Sequence, residues 1–238
     1  MAVLEVEGID VRFGEHHAVD GVSLRVDAGE IVGLIGPNGA GKTTTFNAIC
    51  GVQRCRGAVR LAGVDVSAVP PHKRARLGMN RTFQRLEVFG SMTAYDNVLA
   101  AAETGARGRR REAAALAREL VARVGLDAVA HRRADSLPTG QARLVELARA
   151  LATDPKALLL DEPASGLDDI ETQRFAEVLA GLRDGGMAIL MVEHDIDLVM
   201  QLCTRIYVLN LGKLIAAGTA DEVRGDAGVQ AAYLGSAG

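Results

Sequence analysis

A glycine-rich segment that follows an apolar run constrains this 238-residue chain more than any other feature. Residues 31–45 are IVGLIGPNGAGKTTT, and the apolar start predicts a short strand that is buried on both faces. Gly36 to Gly41 cannot continue the strand, so the backbone must turn before a helix that we predict from Thr44 to Cys50. The turn fits the spacing G-x-x-x-x-G-K-[ST], in which backbone N–H groups and a helix N-terminus converge on phosphate. The segment therefore predicts a phosphate-binding loop.

The side chains of this loop suggest how a nucleoside triphosphate would be held. Lys42 is suited to reach the β and γ phosphates as a point charge, and we expect its ammonium group to lie near solvent otherwise. The Thr43 hydroxyl suits Mg²⁺, which prefers oxygen ligands. We expect nucleotide contacts from Gly36, Pro37, Asn38, Gly39, Ala40, Gly41, Lys42, Thr43 and Thr44.

The composition is typical of a soluble globular protein, because 48% hydrophobic content can bury a sizeable core. A net charge of −3 and a 3% share of aromatic residues argue against a nucleic-acid groove. The longest apolar runs fall far short of the roughly 20 residues of a membrane span, and the N-terminus alternates like a strand rather than a signal peptide. Three cysteines are typical of a reducing compartment, where we interpret them as thiols rather than metal ligands.

Alternating hydrophobicity over residues 2–28 predicts antiparallel strands before the loop, with turns at Asp20-Gly21 and at residues 27–29. Phe13 ends the first of these strands, where an aromatic ring suits either stacking on an adenine or a place in the core or a turn. Helical spacing from Glu112 onwards predicts a buried helix face, and residues 92–135 have the pattern of an all-helical insertion.

Charged side chains follow two later strands at the point where each strand ends. Asp161 and Glu162 come directly after an apolar strand, and Glu193 and His194 follow the strand from Met187 to Val192. Open parallel sheets bind their ligands at the carboxyl ends of the strands. We therefore expect these groups at the same edge as the phosphate-binding loop.

Six elements together resemble the ATP-binding subunit of an ABC transporter, in order and spacing, along essentially the whole chain. They are PNGAGKTT at 37–44, Gln84, LPTGQ at 137–141, LLLDEP at 158–163, SGLD at 165–168 and His194. The resemblance implies an α/β fold: a P-loop NTPase (RecA-like) core with an N-terminal antiparallel β subdomain and a helical insertion carrying the signature motif. It also implies that residues 1–238 form a single ABC-type nucleotide-binding domain with a helical subdomain at roughly 92–150.

The same resemblance assigns chemical roles to particular side chains. Glu162 would be the general base that polarises the attacking water, and His194 would contact the γ phosphate and hold that water in line. Asp161 and Gln84 would bind Mg²⁺ together with Thr43, which makes Gln84 both a catalytic and a metal residue. ATP and Mg²⁺ are therefore the expected substrate and cofactor.

In the family, two such domains sandwich ATP head to tail, so Thr139, Gly140 and Gln141 would contact the nucleotide of a partner domain. This sequence departs from the usual L-S-G-G-Q because Pro138 replaces the serine. A proline removes a hydroxyl and an N–H donor, although a first helical turn tolerates it. Thr139 offers a hydroxyl one place later.

Finer matches resemble the branched-chain amino acid importer group, which includes urea and short-chain amide systems. They are RTFQ at 81–84, ALATDPKALLLDEPASGLDDIET at 150–172, VEHDIDLVM at 192–200 and AAYLG at 231–235. The resemblance implies transmembrane permease subunits as partners, a sister ATP-binding subunit or a second copy, and a place on the cytoplasmic face of the cell membrane. Two alternatives stay open: the ATPase of a lipid or lipopolysaccharide-type exporter, and a soluble ABC ATPase without a role in transport.

Overall fold

The structure is a computed structural model that describes residues 1–82, 85–105 and 110–234. Gln84 lies outside the described residues, and so do residues 107–109 of the basic run RGRRR at 107–111. The described strands are β1 (Ala2–Phe13), β2 (His16–Asp27), β3 (Ile31–Ile35), β4 (Arg56–Leu61), β5 (Val64–Asp65), β6 (Met79–Arg81), β7 (Ala157–Asp161), β8 (Ala188–Val192), β9 (Arg205–Asn210) and β10 (Lys213–Gly218). The described α-helices are α1 (Lys42–Cys50), α2 (Pro71–Arg76), α3 (Ala94–Gly105), α4 (Arg110–Arg123), α5 (Thr139–Leu151), α6 (Asp169–Asp184), α7 (Ile196–Leu202), α8 (Ala220–Gly225) and α9 (Ala227–Leu234).

The strands form two sheets. The larger has the order β10-β9-β3-β8-β7-β6, and all its described pairings are parallel except that of β10 with β9. The smaller sheet is antiparallel with the order β2-β1-β4-β5. The predicted α/β core with an N-terminal antiparallel subdomain is therefore confirmed, and the LPTGQ segment leads into α5, whose first residue is Thr139.

The larger sheet separates two hydrophobic cores, because successive side chains of a strand point to opposite faces. Ile31 and Ile35 of β3 pack with helices α3 to α7, whereas Val32 and Leu34 pack with α1 and the antiparallel sheet. Phe46 of α1 is fully buried in the second core. Burying a side chain of this size contributes about 1.5–3 kcal/mol, so α1 is held firmly between the two sheets.

The predicted turn at Asp20-Gly21 is wrong. The chain reverses around Gly14, and β2 runs without interruption from His16 to Asp27. In the pairing of β1 with β2, Asp10 lies opposite both Asp20 and Gly21, which makes a β-bulge. Gly21 has a φ of +67° there, so an Asp-Gly pair, which favours a turn, here supplies the backbone conformation of a bulge.

Across residues 1–82, 85–105 and 110–234, no helix has the length and apolar character needed to cross a membrane.

Candidate functional site

The glycine-rich loop leaves the carboxyl end of β3 and leads directly into α1. Gly36 has a φ of +151°, and a Cβ at this position would lie 2.1 Å from the carbonyl oxygen of Leu209. Gly41, at the N-cap of α1, has a φ of +100°. Glycine is therefore required at both ends of the loop. The turn directs the first N–H groups of α1, which have no intrahelical acceptor, towards the space beside the loop.

Lys42 is buried rather than close to solvent, with 6% of its surface exposed. Its Nζ donates to the carbonyl oxygens of Gly36 (2.7 Å) and Pro37 (3.0 Å). Burial lowers the pKa of Lys42, and the nearby Glu162 carboxylate opposes that shift. The expectation of a solvated ammonium was wrong because the loop wraps around the side chain and supplies its acceptors.

A cleft of about 450 Å³ opens beside this loop. It is lined by Phe13, His16, Ala18, Asn38, Gly39, Ala40, Gly41, Lys42, Thr43, Thr44, Glu162 and His194. The structure thus brings together predicted residues from four separate parts of the sequence. His16 and Ala18 were missed by the sequence reasoning. Because His16 pairs with Phe13 across the β1–β2 turn, a correct placement of that turn would have pointed to His16.

Glu162 and His194 meet in this cleft because β7 and β8 are parallel neighbours in which Asp161 pairs with Val192. Nε2 of His194 lies 2.7 Å from Oε1 of Glu162. The Glu162 side chain is 16% exposed, whereas that of His194 is 47% exposed. The Glu162 backbone has a φ of +48°, a conformation that costs a non-glycine residue about 1–3 kcal/mol and that clusters at functional sites.

Asp161 lies just beneath the cleft, and its side chain is 5% exposed. Its Oδ2 accepts a hydrogen bond from Nη2 of Arg81 over 2.8 Å, and Nη1 of Arg81 donates to Oδ1 of Asn47 over 2.6 Å. The same guanidinium lies over the ring of Phe46. Burial raises the pKa of Asp161, and Arg81 opposes that shift. Arg81, missed by the sequence reasoning, belongs to β6, three positions before Gln84, which is outside the described residues.

Glu193 has a structural place beside the cleft. Its side chain is buried, and Oε1 accepts from the N–H of Ala164 (2.7 Å) while Oε2 accepts from the N–H of His194 (2.8 Å). The carboxylate therefore ties the segment after β7 to the segment after β8. This contact fixes the backbone that carries Glu162 and His194.

The LPTGQ segment lies elsewhere on the chain. Pro138 is the N-cap of α5, one position before the first helical turn, and Thr139 begins the helix. The N–H of Gly140 donates to Oε1 of Glu171, at the start of α6, over 3.0 Å. Thr139, Gly140 and Gln141 are not among the described residues that line the cleft, so one chain does not bring them to its own phosphate-binding loop.

Comparisons with known proteins agree with this architecture. Residues 19–165 match the family described as ABC transporter, and residues 213–238 match the family described as branched-chain amino acid ATP-binding cassette transporter. The high-affinity branched-chain amino acid transport ATP-binding protein BraF of Pseudomonas aeruginosa is 41% identical, over 99% of this chain and 98% of its own length. The lipopolysaccharide export system ATP-binding protein LptB of Haemophilus influenzae is 36% identical over the same shares.

A crystal structure of the ADP conformation of an ATP-binding cassette of an ABC transporter superposes with a TM-score of 0.87. It is 30% identical in sequence, and the match covers 99% of each chain. The family match at residues 19–165 extends over the phosphate-binding loop and Asp161, and the fold match, which covers nearly the whole chain, also includes His194. The chain therefore belongs to the ABC transporter family, as an ATPase subunit that binds adenine nucleotides.

Proposed function

We propose that this chain drives the uptake of branched-chain amino acids, or of similar small amino acids or amides, through a separate permease. The observation that carries the proposal is the 41% identity to BraF over nearly the full length of both chains. The separate match of residues 213–238 to a branched-chain amino acid transporter family supports the same group. A lipopolysaccharide exporter is the second candidate, favoured by the 36% identity to LptB.

For the chemistry we propose that Glu162 is the general base and that His194 holds the attacking water in line with the γ phosphate. Their 2.7 Å contact places both groups at one side of the cleft that the phosphate-binding loop borders. Lys42 and the loop N–H groups would hold the phosphates, and Phe13, half exposed at the cleft, would stack on the adenine. Phosphoryl transfer depends mainly on positioning and charge stabilisation, which these residues supply.

We propose that Thr43, Asp161 and Gln84 bind Mg²⁺. The hydroxyl, carboxylate and amide oxygens of this donor set suit the ion. The buried Asp161 carboxylate, whose pKa burial raises even with Arg81 beside it, is a group that a further cation would stabilise. When bound, Mg²⁺ neutralises charge that develops on the phosphate oxygens.

We propose that residues 1–238 form one nucleotide-binding domain, with its helical subdomain at roughly 92–150, and that it closes on a partner of the same kind. The partner is a sister ATP-binding subunit or a second copy, and Thr139, Gly140 and Gln141 would meet that partner's ATP. The separation of these residues from their own chain's cleft supports this arrangement. The pair would sit on the cytoplasmic face of the membrane.

We propose that the permease docks at a groove of about 400 Å³ lined by residues from α1, α2, β6, α3 and α5. Val52, Met79 and Ala101 are among the apolar side chains that line it, and Val52 is 60% exposed. Arg81 also lines this groove while bonding Asp161, so the groove and the proposed metal site share a side chain.

Reconstitution tests the transport proposal. The membrane proteins that co-purify with the chain would be placed in liposomes with ATP, and accumulation of radiolabelled leucine would be measured, with the Glu162→Gln variant as the inactive control. We expect ATP-dependent leucine uptake with the wild type only. Extraction of lipopolysaccharide without leucine uptake would support the exporter instead.

A further inference from the structure

A carboxylate of the chain itself occupies the N-terminus of the helix that carries the LPTGQ segment. Oε1 of Glu171 accepts the N–H of Gly140 over 3.0 Å. The approach is close, because a Cβ on Gly140 would lie 2.7 Å from Cδ of Glu171. The first N–H groups of a helix attract anions, since they lack intrahelical acceptors and carry the positive end of the helix dipole. Glu171 is therefore an internal anion at this position.

We propose that Glu171 acts as a gate on α5, the signature helix, which begins within the LPTGQ segment. In the separate chain it holds the Gly140 N–H, and it must release that donor before the γ phosphate of a partner chain's ATP approaches α5. This inference rests on the proposed head-to-tail sandwich. A carboxylate and a phosphate oxygen repel each other and compete for one N–H donor, so the contact opposes closure of the sandwich.

The gate is built into the cap of the following helix. Oδ1 of Asp168 accepts the N–H of Glu171 (2.8 Å), and Oε2 of Glu171 lies 3.4 Å from the N–H of Asp168, which makes a capping box. Asp168 is the last residue of the SGLD segment, and the N–H of Ser165 in that segment donates to the carbonyl of Glu162. Glu171 thus joins the signature helix to the loop that carries the proposed general base.

Replacing Glu171 with glutamine removes the charge that the gate requires but keeps the helix cap of α6. Glu171→Gln keeps the length of the side chain, and glutamine is accepted at this position of a capping box, so α6 keeps its start. The amide has no net charge to repel phosphate and binds an N–H less strongly than a carboxylate. In the Glu162→Gln background, we expect the dissociation constant of the ATP-bound dimer to fall at least about tenfold, which corresponds to about 1.4 kcal/mol.

Analytical ultracentrifugation with saturating ATP measures this dissociation constant for Glu162→Gln and for the double variant that also carries Glu171→Gln. Glu222→Gln is the matched control, because Glu222 occupies the same position in the capping box of α8 with Thr219. We expect that control to leave the dimer constant unchanged. If the double variant dimerises no more tightly than Glu162→Gln alone, the gate is overturned.

A measurement on the nucleotide-free chain tests the Glu171 contact with Gly140 without requiring a dimer. Amide exchange of Gly140, followed by NMR, should be at least about tenfold faster in Glu171→Ala than in the wild type and unchanged in Glu222→Ala. If Glu162→Gln forms no ATP-dependent dimer, the sandwich between two copies fails, and the exchange result still decides whether Glu171 holds the Gly140 N–H, the contact on which the gate depends. Unchanged Gly140 exchange overturns it.

Discussion

Replacing Arg81 by methionine tests the ion pair beneath the cleft. The Arg81 and Asp161 side chains are 15% and 5% exposed, and their charged atoms are 2.8 Å apart. At an effective dielectric constant of about 20, Coulomb's law gives roughly 6 kcal/mol of attraction before the cost of desolvation. Removing one partner of such a buried pair costs about 3–5 kcal/mol, because the other charge stays buried. Methionine replaces the guanidinium over the Phe46 ring with an apolar group that still covers the ring, so we expect a loss near the lower end of this range, about 3 kcal/mol.

Urea unfolding followed by far-UV circular dichroism measures this loss, since the chain has no tryptophan to report on its folding. Asp161→Asn and the double variant complete a cycle in which we expect a coupling energy of at least about 1.5 kcal/mol. Arg60→Met is the matched control: Arg60 lies 2.7 Å from Glu7, but the pair is exposed and should contribute little. Additive effects of Arg81→Met and Asp161→Asn would refute the reasoning.

Three further predictions concern single side chains. Lys42→Ala should abolish tight ATP binding in a titration with a fluorescent ATP analogue, and unchanged affinity would remove the phosphate-loop assignment. Pro138→Ser should raise steady-state phosphate release by the isolated protein, because serine restores a hydroxyl and an N–H that can each donate to the γ phosphate of a partner chain's ATP. Each such hydrogen bond is worth about 1.5–3 kcal/mol, and equal rates would show that the proline costs nothing. Cys50 and Cys203 are buried, which also raises their pKa values to about 11 and about 12, whereas Cys55 is only partly buried. A thiol reagent at pH 8 should therefore modify Cys55 in the native chain and the other two only on unfolding; labelling of Cys50 or Cys203 before unfolding would contradict their burial.

Local patterns predict most of the strands and helices correctly because each depends on its own periodicity. The buried strand before Gly36 and the strand that ends at Asp161 are both where the sequence places them. The bulge at Gly21 is an exception, since Asp-Gly favours a positive φ in a turn and in a bulge alike. Only the register of β1 against β2 distinguishes the two.

The contacts that surround the candidate site were harder to predict because they join distant parts of the chain. Arg81 and Asp161 are 80 residues apart and meet because β6 pairs with β7, a strand order that local periodicity does not encode. Glu171 had a readable signal, because Asp168-x-x-Glu171 has the form of a capping box. Its second contact, to Gly140, depends on how α5 packs against α6.

Single-turnover hydrolysis by the Glu162→Gln variant tests most directly whether the strand-end carboxylate activates the attacking water. The amide keeps the shape of the side chain and loses the base, so ATP should still bind while phosphate release slows at least about a hundredfold. ATP affinity measured on the same preparation shows that the site is intact. Hydrolysis as fast as in the wild type, with ATP binding retained, would contradict the role proposed for Glu162.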